Sequence, residues 1–523
     1  MTAELARAGG VVGAGGLAVA LVAPGRLQRL GGLAGWALGA VLIAVYLAPT
    51  GHRPLLAAAA VVGLALAVAG AALLRRWPWL LPLAALACVP ARIHITVGST
   101  TANLLVPLYG VVAAAALVMA WELRREPGRQ RARELGPVAV PLAAFVAWSG
   151  LSLVWTDDLR QGSIDLLFFY LPFGLLAVAL ARLEWRRVWV LALLGELVVM
   201  ALVFAAVGVY QYETRDIFWN PKVRIGNAYA PFYRVNSVFW DPSVYGRFLV
   251  VAILACLVLV LFLHDLRIMA AATAATAAIW VGLLFSYSQS TFAALVAGVV
   301  FAAIFAWRWK GVVMAAVAGV VLLVGALAVP NVRHDVFGHG RGLNSASGGR
   351  SKLVSKGIRI AVHHPAAGVG IGSFKVAYAR LTHLKGKEPK SAASHDTPVT
   401  VAAETGVPGL LLFGWLLVSG LLLAFRRFAS DLAGLAALTL GLVLASIAVH
   451  SLFYNAFFED PTVWGALGLA ALAARVPLPR DERAQPAQLD RQVEPEREQD
   501  QRVDGAQREG ARQRDAERLP EHR

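Results

Sequence analysis

Long apolar stretches recur along nearly the whole chain, and this feature most constrains the fold. Each is about 20 residues long, the length that a helix needs to cross the hydrocarbon core of a bilayer. Of the 523 residues, 58% are hydrophobic and only 15% are charged, whereas soluble domains have about 25% charged residues. The short alternating segments of a transmembrane barrel do not occur. The sequence therefore predicts an all-α polytopic membrane protein.

About fourteen stretches qualify as spans, and the segment before them is ambiguous. Residues 9–23 are short and Gly-rich and form either a further span or an interfacial segment, so residues 1–30 stand apart from the membrane domain 31–475. The predicted spans are 31–49, 55–74, 78–91, 103–121, 137–155, 164–182, 187–210, 244–263, 267–286, 290–307, 311–329, 399–424, 431–451 and 455–475.

Alternate short connections are rich in arginine, and this asymmetry sets the predicted orientation. Arg75 and Arg76, or Arg426 and Arg427, lie in such connections, whereas the intervening ones have few basic residues. The positive-inside rule places the Arg-rich set in the cytoplasm. Two long loops, 211–243 and 330–398, then lie outside the cell, and we expect the second to be partly helical.

The C-terminal segment 476–523 differs from the rest of the chain. It contains 10 arginines and 12 acidic residues and has no aromatic residue. Such a segment cannot bury enough apolar surface to fold alone. We expect a disordered cytoplasmic tail without a catalytic role.

Both predicted outer loops have compositions that allow two interpretations. The loop 330–398 contains eleven Lys or Arg against three acidic residues; it is either a solvated basic loop facing anionic lipid headgroups or a site for an anionic substrate. The loop 211–243 mixes aromatic residues with arginines. Aromatic residues form interfacial belts, and with guanidinium groups they also suit a sugar and its phosphates. The local pattern favours a substrate site for the loop 330–398, and composition alone leaves both interpretations open for the loop 211–243.

The sequence does not support a metal, a cofactor or a nucleic acid as a partner. Six histidines lie in the second loop without metal-ligand spacing or cysteine partners. Gly368, Gly370 and Gly372 do not follow a strand within a βαβ unit, which argues against a dinucleotide site. Cys88 and Cys256, the only cysteines, both lie in apolar stretches.

Several motifs occur in a fixed order along the chain. They are Arg234 with the run 239–246 (Phe-Trp-Asp-Pro-Ser-Val-Tyr-Gly), Arg350 at the start of a basic loop helix, the glycine turn 365–374, and His395 followed by Glu404-Thr-Gly. This ordered set resembles the O-antigen ligase and polymerase family of bacterial membrane glycosyltransferases. The resemblance covers about residues 137–420. Asp157 resembles a further weak feature. Asp396 departs from the pattern, because the family often has Asn after the histidine.

The resemblance implies a multi-pass protein of the bacterial plasma membrane that moves a glycan from a polyprenyl-diphosphate carrier to an acceptor hydroxyl at the outer face. A diphosphate leaves as a stable anion, so fixed positive charge is needed rather than an acid. Arg234 and Arg350 are the predicted clamp, and His395 is the predicted base. The further predicted substrate-binding residues are Arg224, Asp241, Tyr245, Arg247, Lys352 and Glu404. Asp396 or Glu404 is expected to orient His395.

We expect transfer without a metal and with inversion at the sugar. The acceptor is a glycan, a lipid or a wall polymer, so ligase, polymerase and protein glycosyltransferase all stay open, and membrane lipids surround the protein. The alternative from another class is a transporter or flippase of lipid-linked glycans. That class predicts internal repeats and charges near the midplane. Glu196, in the middle of a span, is left without a role.

Overall fold

Helices make up almost all of the regular structure, as the apolar periodicity predicts. The computed structural model describes residues 2–49, 51, 53–97, 100–125, 134–229, 232–328, 350–383, 394–455 and 457–478. The helices are α1 (Thr2–Val22), α2 (Arg26–Leu47), α3 (Arg53–Arg76), α4 (Leu80–Ala87), α5 (Val106–Arg125), α6 (Ala139–Ser152), α7 (Leu159–Asp165), α8 (Leu171–Ala181), α9 (Arg187–Thr214), α10 (Pro221–Tyr229), α11 (Pro242–Phe262), α12 (Leu266–Leu284), α13 (Gln289–Trp307), α14 (Trp309–Ala328), α15 (Arg350–His363), α16 (Phe374–Leu381), α17 (Thr397–Arg426), α18 (Leu432–His450) and α19 (Pro461–Ala474).

Eleven helices in the described part of the chain are long and apolar enough to cross a membrane. One of them combines α7 and α8 through a π-helical turn, Leu166–Tyr170, into a continuous segment. Two apolar helices are shorter, Gly136–Ser152 and Pro461–Ala474. The predicted fold class, a helical multi-pass membrane protein, is confirmed.

The predicted span 78–91 differs most from expectation. Its helix α4 has eight residues, about 12 Å at 1.5 Å per residue, well short of the hydrocarbon core. Pro90 follows closely, and proline disfavours helical backbone in the residue before it. Two antiparallel strands come next, β1 (Ile93–Val97) and β2 (Thr100–Leu104). This hairpin was not predicted.

The N-terminal segment forms one 21-residue helix, α1, with the length of a span. Glycines let α1 and α2 approach closely: a Cβ on Gly39 would lie 2.3 Å from Cα of Gly13, and a Cβ on Gly16 would lie 2.4 Å from the backbone nitrogen of Trp36. Small residues at such spacing favour close packing of membrane helices. Of the two interpretations of residues 9–23, the helix length favours the span.

The most buried helices are apolar on every side. All residues of α8 are buried, and α11 is buried over most of its length. A helix that is apolar all round belongs in the interior of a bundle. The aromatic rings of Phe145, Tyr170 and Phe458 stack in this interior with centroids 4.6–5.9 Å apart.

Ion pairs join helices at the end of the bundle with the Arg-rich connections. Glu134 accepts from Arg29 (2.8 Å) and from Arg182 (2.7 Å). Burial alone would raise the pKa of Glu134, but the two guanidinium groups outweigh it and hold the pKa below its ordinary value. The unit Met1–Val476 is compact; of the unit Pro477–Arg523, the residues beyond Leu478, and with them nearly all of the predicted tail, lie outside the described residues.

Candidate functional site

The glycine turn 365–374 packs with its backbone directly against two other segments. Gly368, Gly370 and Gly372 all have positive φ angles, of 67°, 90° and 78°. A Cβ on Gly370 would lie 2.3 Å from Cα of Thr156, and one on Gly368 would lie 2.3 Å from the carbonyl group of Glu404. Only glycine accommodates both this backbone and this proximity.

Glu404 holds the glycine turn in place. Its carboxylate Oε1 accepts a hydrogen bond from the backbone nitrogen of Phe374 (3.1 Å), and its carbonyl accepts from the backbone nitrogen of Gly370 (2.8 Å). The sequence proposed that Glu404 binds substrate or orients His395. The structure gives its carboxylate a backbone partner in the turn, which is a positioning role.

Residues after α6 complete the support of this turn. The hydroxyl of Ser373 accepts from the backbone nitrogens of Asp157 and Asp158, both at 2.9 Å. The hydroxyl of Thr156 donates to the carbonyl of Ile371 (2.7 Å). Asp157, the weak feature noted in the sequence, forms an ion pair with Arg380 (2.6 Å). These contacts attach α16 to the end of α6.

Gly406 allows the long helix α17 to bend beneath the turn. Its φ and ψ are 71° and −171°, outside the helical region. The backbone nitrogen of Val407 then donates to the carbonyl of Pro365 (2.8 Å), and the indole nitrogen of Trp148 donates to the carbonyl of Thr405 (2.8 Å). The Glu-Thr-Gly motif therefore docks the glycine turn onto the bundle.

His395 lies in a sharp turn at the start of α17. Its φ is 63°, an unusual value for a residue other than glycine. The next residue, Asp396, caps the helix, because its Oδ1 accepts from the backbone nitrogen of Val399 (2.9 Å). Burial raises the pKa of Asp396 and the capping bond opposes this change. Asn and Asp cap helices equally well, so Asp396 can fill the capping role of the usual Asn.

The turn at His395 also contacts the end of α18. The backbone nitrogen of Thr397 donates to the carbonyl of Ser451 (2.8 Å). The preceding residue, His450, is fully buried, and its Nε2 lies 3.2 Å from the hydroxyl of Ser290 at the start of α13. His450 was not predicted, and its position in an apolar run gave no signal.

A chain of buried hydroxyl groups continues from His450 toward the first loop. The hydroxyl of Ser288 lies 3.1 Å from that of Ser290 and donates to that of Ser243 (3.1 Å). Ser243 lies in the first turn of α11, within the motif 239–246. The ends of the two predicted outer loops are therefore connected at one end of the bundle.

Arg234 is held by its backbone and its side chain. The side chain of Asn227 accepts from the backbone nitrogen of Arg234 (3.0 Å) and donates to its carbonyl (2.8 Å). The Nε of Arg234 donates to the carbonyl of Ser286 (3.2 Å). Gln211 fixes the following turn by accepting from the backbone nitrogen of Ser237 (2.7 Å). Neither Asn227 nor Gln211 was predicted.

Three of the predicted substrate-binding residues have structural partners. Asp241 caps α11 by accepting from the backbone nitrogen of Ser243 (2.7 Å). Tyr245 is wholly buried in the packing between helices. Arg224 donates to the carbonyl of Ile217 (2.7 Å) and is half exposed.

Arg247, another predicted substrate-binding residue, differs from these three because part of its guanidinium group has no partner in the described residues. It is 2% exposed, and its Nε pairs with Oδ2 of Asp460 at 2.8 Å. Its Nη1 and Nη2 are buried and hydrogen-bond to no described residue. The charges of Arg247, Asp241, Glu459 and Arg92 all act on Tyr454, whose pKa burial raises. These four charged groups therefore lie within electrostatic range of the same phenol.

The basic helix α15 lies beside this region. Arg350 is its first residue, although the side chain of Arg350 lies outside the described part of the chain. Lys352 is exposed on the same helix. Gly357 abuts Val399 and Phe374, which attaches α15 to the start of α17 and to the glycine turn.

Two further points concern metal binding and Glu196, to which the sequence assigned no role. Among the described residues, no group of three or more His, Cys, Asp or Glu is arranged to hold a metal ion. Glu196 lies within α9, and its Oε2 is buried without a hydrogen-bond partner in the described residues.

The fold and the paired loops define a polytopic membrane protein with a charged site at one end of its bundle. The family model for O-antigen ligase matches residues 274–414, a region that includes α15, the glycine turn and His395. This match supports the resemblance to the O-antigen ligase family seen in the sequence. The matched domain supports a membrane glycosyltransferase role in polysaccharide assembly. No curated protein matches the chain.

Proposed function

We propose that this protein transfers a glycan from a polyprenyl-diphosphate carrier to an acceptor hydroxyl at the outer face of the bacterial plasma membrane. The observation that carries the proposal is the connection of the two loops through Thr397, Ser451, His450 and the hydroxyl chain to Ser243. It brings the segment with Arg234 and the turn with His395 to the same end of the bundle. This connection supports a shared site for the proposed clamp and the proposed base.

Arginines suit the leaving group in this reaction. Negative charge develops on the diphosphate as the anomeric bond breaks, and fixed guanidinium groups stabilise that charge without supplying a proton. Asn227 and Ser286 hold Arg234 by its backbone and by Nε. Because both contacts are made within the protein, the orientation of Arg234 is set before substrate arrives. Arg350, at the first turn of α15, is the second proposed member of the clamp.

His395 is the proposed base for the acceptor hydroxyl. An imidazole has an ordinary pKa near neutrality, so a neutral fraction is present to accept a proton. The left-handed backbone at His395 and the Asp396 cap fix the position from which the side chain leaves the turn. In this mechanism the acceptor oxygen attacks the anomeric carbon, its proton passes to His395, and the polyprenyl diphosphate leaves with inversion at the sugar. The proposed steps use side chains alone.

Turnover by the purified protein tests the proposal. The full chain in lipid nanodiscs is supplied with a polyprenyl-diphosphate glycan and an acceptor glycan, and the new glycosidic bond and the released polyprenyl diphosphate are measured together. We expect both products in equal amounts. His364→Ala, which changes an exposed histidine in the same loop, is the control and should keep full activity.

A flippase would behave differently in the same system. It would move a labelled lipid-linked glycan across a liposome bilayer without forming a glycosidic bond. That result, with full binding of the donor, would overturn the proposed transfer and favour the transporter alternative.

A further inference from the structure

We propose that Arg247 and Arg92 form a buried anion subsite that binds the lipid-proximal phosphate of the donor, and that the apolar cavity beside them holds the first part of its prenyl chain. This inference rests on the proposed function for the identity of the donor. It adds a binding site distinct from Arg234, Arg350 and His395.

The first observation is that two guanidinium groups, of buried Arg247 and of partly exposed Arg92, have buried nitrogens without a hydrogen-bond partner in the described residues. Both terminal nitrogens of Arg247 and the Nε of Arg92 are buried without a hydrogen-bond partner in the described residues. Other donors of the pair are fixed, Nε of Arg247 by Asp460 (2.8 Å) and Nη2 of Arg92 by the carbonyl of Glu459 (3.1 Å). A buried unpaired guanidinium N–H is costly. The arrangement therefore points to an anion that accepts from these groups.

The second observation is a cavity of about 480 Å³ whose lining is almost entirely apolar. It lies among α4, α9, α11, α18 and α19. Along α11 it is lined by Val251, Ala255 and Val258, at helical positions below Arg247. Residues four apart share a helix face, so Arg247 lies on the same face of α11 as these three apolar residues, one turn before Val251.

Two more residues of the charged cluster have close neighbours in sequence that line the cavity. Val89, three residues before Arg92, lines it, and so do Pro461 and Thr462, which follow Asp460 directly. A ligand that fills both parts needs an anionic group joined to an extended apolar chain. A polyprenyl diphosphate has this composition. A free sugar phosphate lacks the chain, and a polyprenol lacks the anion.

The carboxylate of Glu459 would compete with a bound phosphate for the two arginines. Nη2 of Arg92 donates to the carbonyl of Glu459 at 3.1 Å, and Arg247 pairs with the next residue, Asp460, so Glu459 lies beside the subsite. Burial raises the pKa of Glu459, and the charges of Arg92 and Arg247 oppose this change. When ionised, this carboxylate competes with a phosphate for the same guanidinium groups. Neutral glutamine at position 459 should therefore improve phosphate binding.

Binding without turnover tests the inference. The full chain in nanodiscs is titrated with a polyprenyl diphosphate that carries no glycan, and the dissociation constant is measured. Arg247→Ala should weaken binding roughly 10- to 100-fold, since hydrogen bonds to charged groups have effects of this size, and Arg247→Lys should recover part of it. Glu459→Gln should tighten binding about threefold to tenfold. A merely structural role for the cluster does not predict a tighter variant.

Cavity filling tests the chain-binding part separately. Gly465 lines the cavity, and a Cβ there would meet only Leu180, at 3.8 Å. The variant Gly465→Leu should therefore fold, and its side chain should exclude the prenyl chain from the cavity. The matched control is Gly414→Leu, because a Cβ at Gly414 meets nothing within 4 Å and this residue does not line the cavity. Arg267→Ala, an exposed arginine at the start of α12, controls for charge.

Four ligands distinguish the possible sources of the anion. Polyprenyl diphosphate should bind best, whereas polyprenol, inorganic pyrophosphate and phosphatidylglycerol should each bind at least about tenfold more weakly. Equal competition by phosphatidylglycerol would replace the donor with ordinary lipid and overturn the assignment. Unchanged binding in Arg247→Ala, Glu459→Gln and Gly465→Leu would overturn the subsite even if glycan transfer is observed. Conversely, binding as described without any glycosidic bond formation would contradict only the proposed function.

Discussion

The carboxylate of Glu404 accepts a hydrogen bond from the backbone nitrogen of Phe374 at 3.1 Å, although thirty residues separate the two in sequence. Glu404 lies in the first part of α17, close after the turn that carries His395. Phe374 ends the glycine turn and begins α16. One side chain therefore ties the glycine turn to the helix that begins just after His395.

Replacement of Glu404 should loosen this connection. Glu404→Ala leaves the backbone nitrogen of Phe374 without an acceptor, which we expect to cost about 1–3 kcal/mol. Glu404→Gln keeps an acceptor oxygen and should recover a large part of the loss. The measurement is thermal unfolding of the purified variants in detergent. Equal destabilisation by both substitutions would show that the charge, and not the hydrogen bond, matters.

Gly370 and Gly136 form a matched pair for the glycine turn. Both have positive φ angles, 90° and 54°, but a Cβ on Gly136 meets nothing within 4 Å whereas one on Gly370 would collide with Thr156. Gly136→Ala should cost only backbone strain, about 1–2 kcal/mol. Gly370→Ala should cost roughly 2–5 kcal/mol, since the turn must also move away. Unfolding temperatures of the two variants compare these costs, and similar values would contradict the close packing.

The apolar stretches predict most of the long helices because bilayer thickness imposes the same apolar length on each span. The predicted span 78–91 is wrong, because its helix α4 has only eight residues and leads into a hairpin. The apolar composition of 78–91 resembles a span, and Pro90 was the signal that the helix ends early. The α1 helix was ambiguous because its glycines interrupt the run of large apolar residues while they permit its packing on α2.

The roles of the charged residues stay predictions, and the residues that hold them in place were not predicted. Arg234, Arg247 and His395 stand out because charge is rare in this chain. Gln211 and Asn227, which fix the first loop, and His450, which connects the loops, gave no signal because most of their partners are distant in sequence. No local pattern identifies such contacts. The carboxylates of Glu404 and Asp241 accept hydrogen bonds from backbone nitrogens, and composition does not reveal such partners.

Glu134 should make the stability of the bundle depend on pH in the acid range. Its pKa is lowered in the folded protein by Arg29 and Arg182, so its contribution is fully present above its ordinary value of 4.5 and is lost as pH falls through the lower folded pKa. Glu134→Gln should destabilise the protein at neutral pH by about 3–5 kcal/mol, because Arg29 then stays buried without its partner. The unfolding temperature of the unsubstituted protein should fall as pH is lowered from neutral to about one unit below the ordinary pKa of Glu134. The part of this fall that is caused by protonation of Glu134 should be absent from Glu134→Gln.

Thiol labelling tests the orientation of the bundle. Arg359 lies exposed on α15 in the second predicted outer loop, and His264 lies exposed in the short connection before α12. With Cys88 and Cys256 replaced by serine, Arg359→Cys should react with a membrane-impermeant reagent in intact cells and His264→Cys should react only after lysis. The reverse pattern would place the candidate site in the cytoplasm and remove the basis for an outer-face reaction.

The clamp and the base should separate when donor binding and transfer are measured independently. Arg234→Ala should reduce the transfer rate about 100- to 1000-fold, as loss of one donor to a developing anion typically does, and should weaken donor binding as well. Arg234→Lys should recover only part of both, since a lysine keeps the charge and loses the planar fork. His395→Ala should bind donor normally and transfer it about 100- to 10,000-fold more slowly. A chelator should change neither measurement. If His395→Ala instead loses donor binding while bound donor reacts at the parent rate, His395 belongs to the anion site, and the base must be sought among Asp396, Glu404 and Asp241.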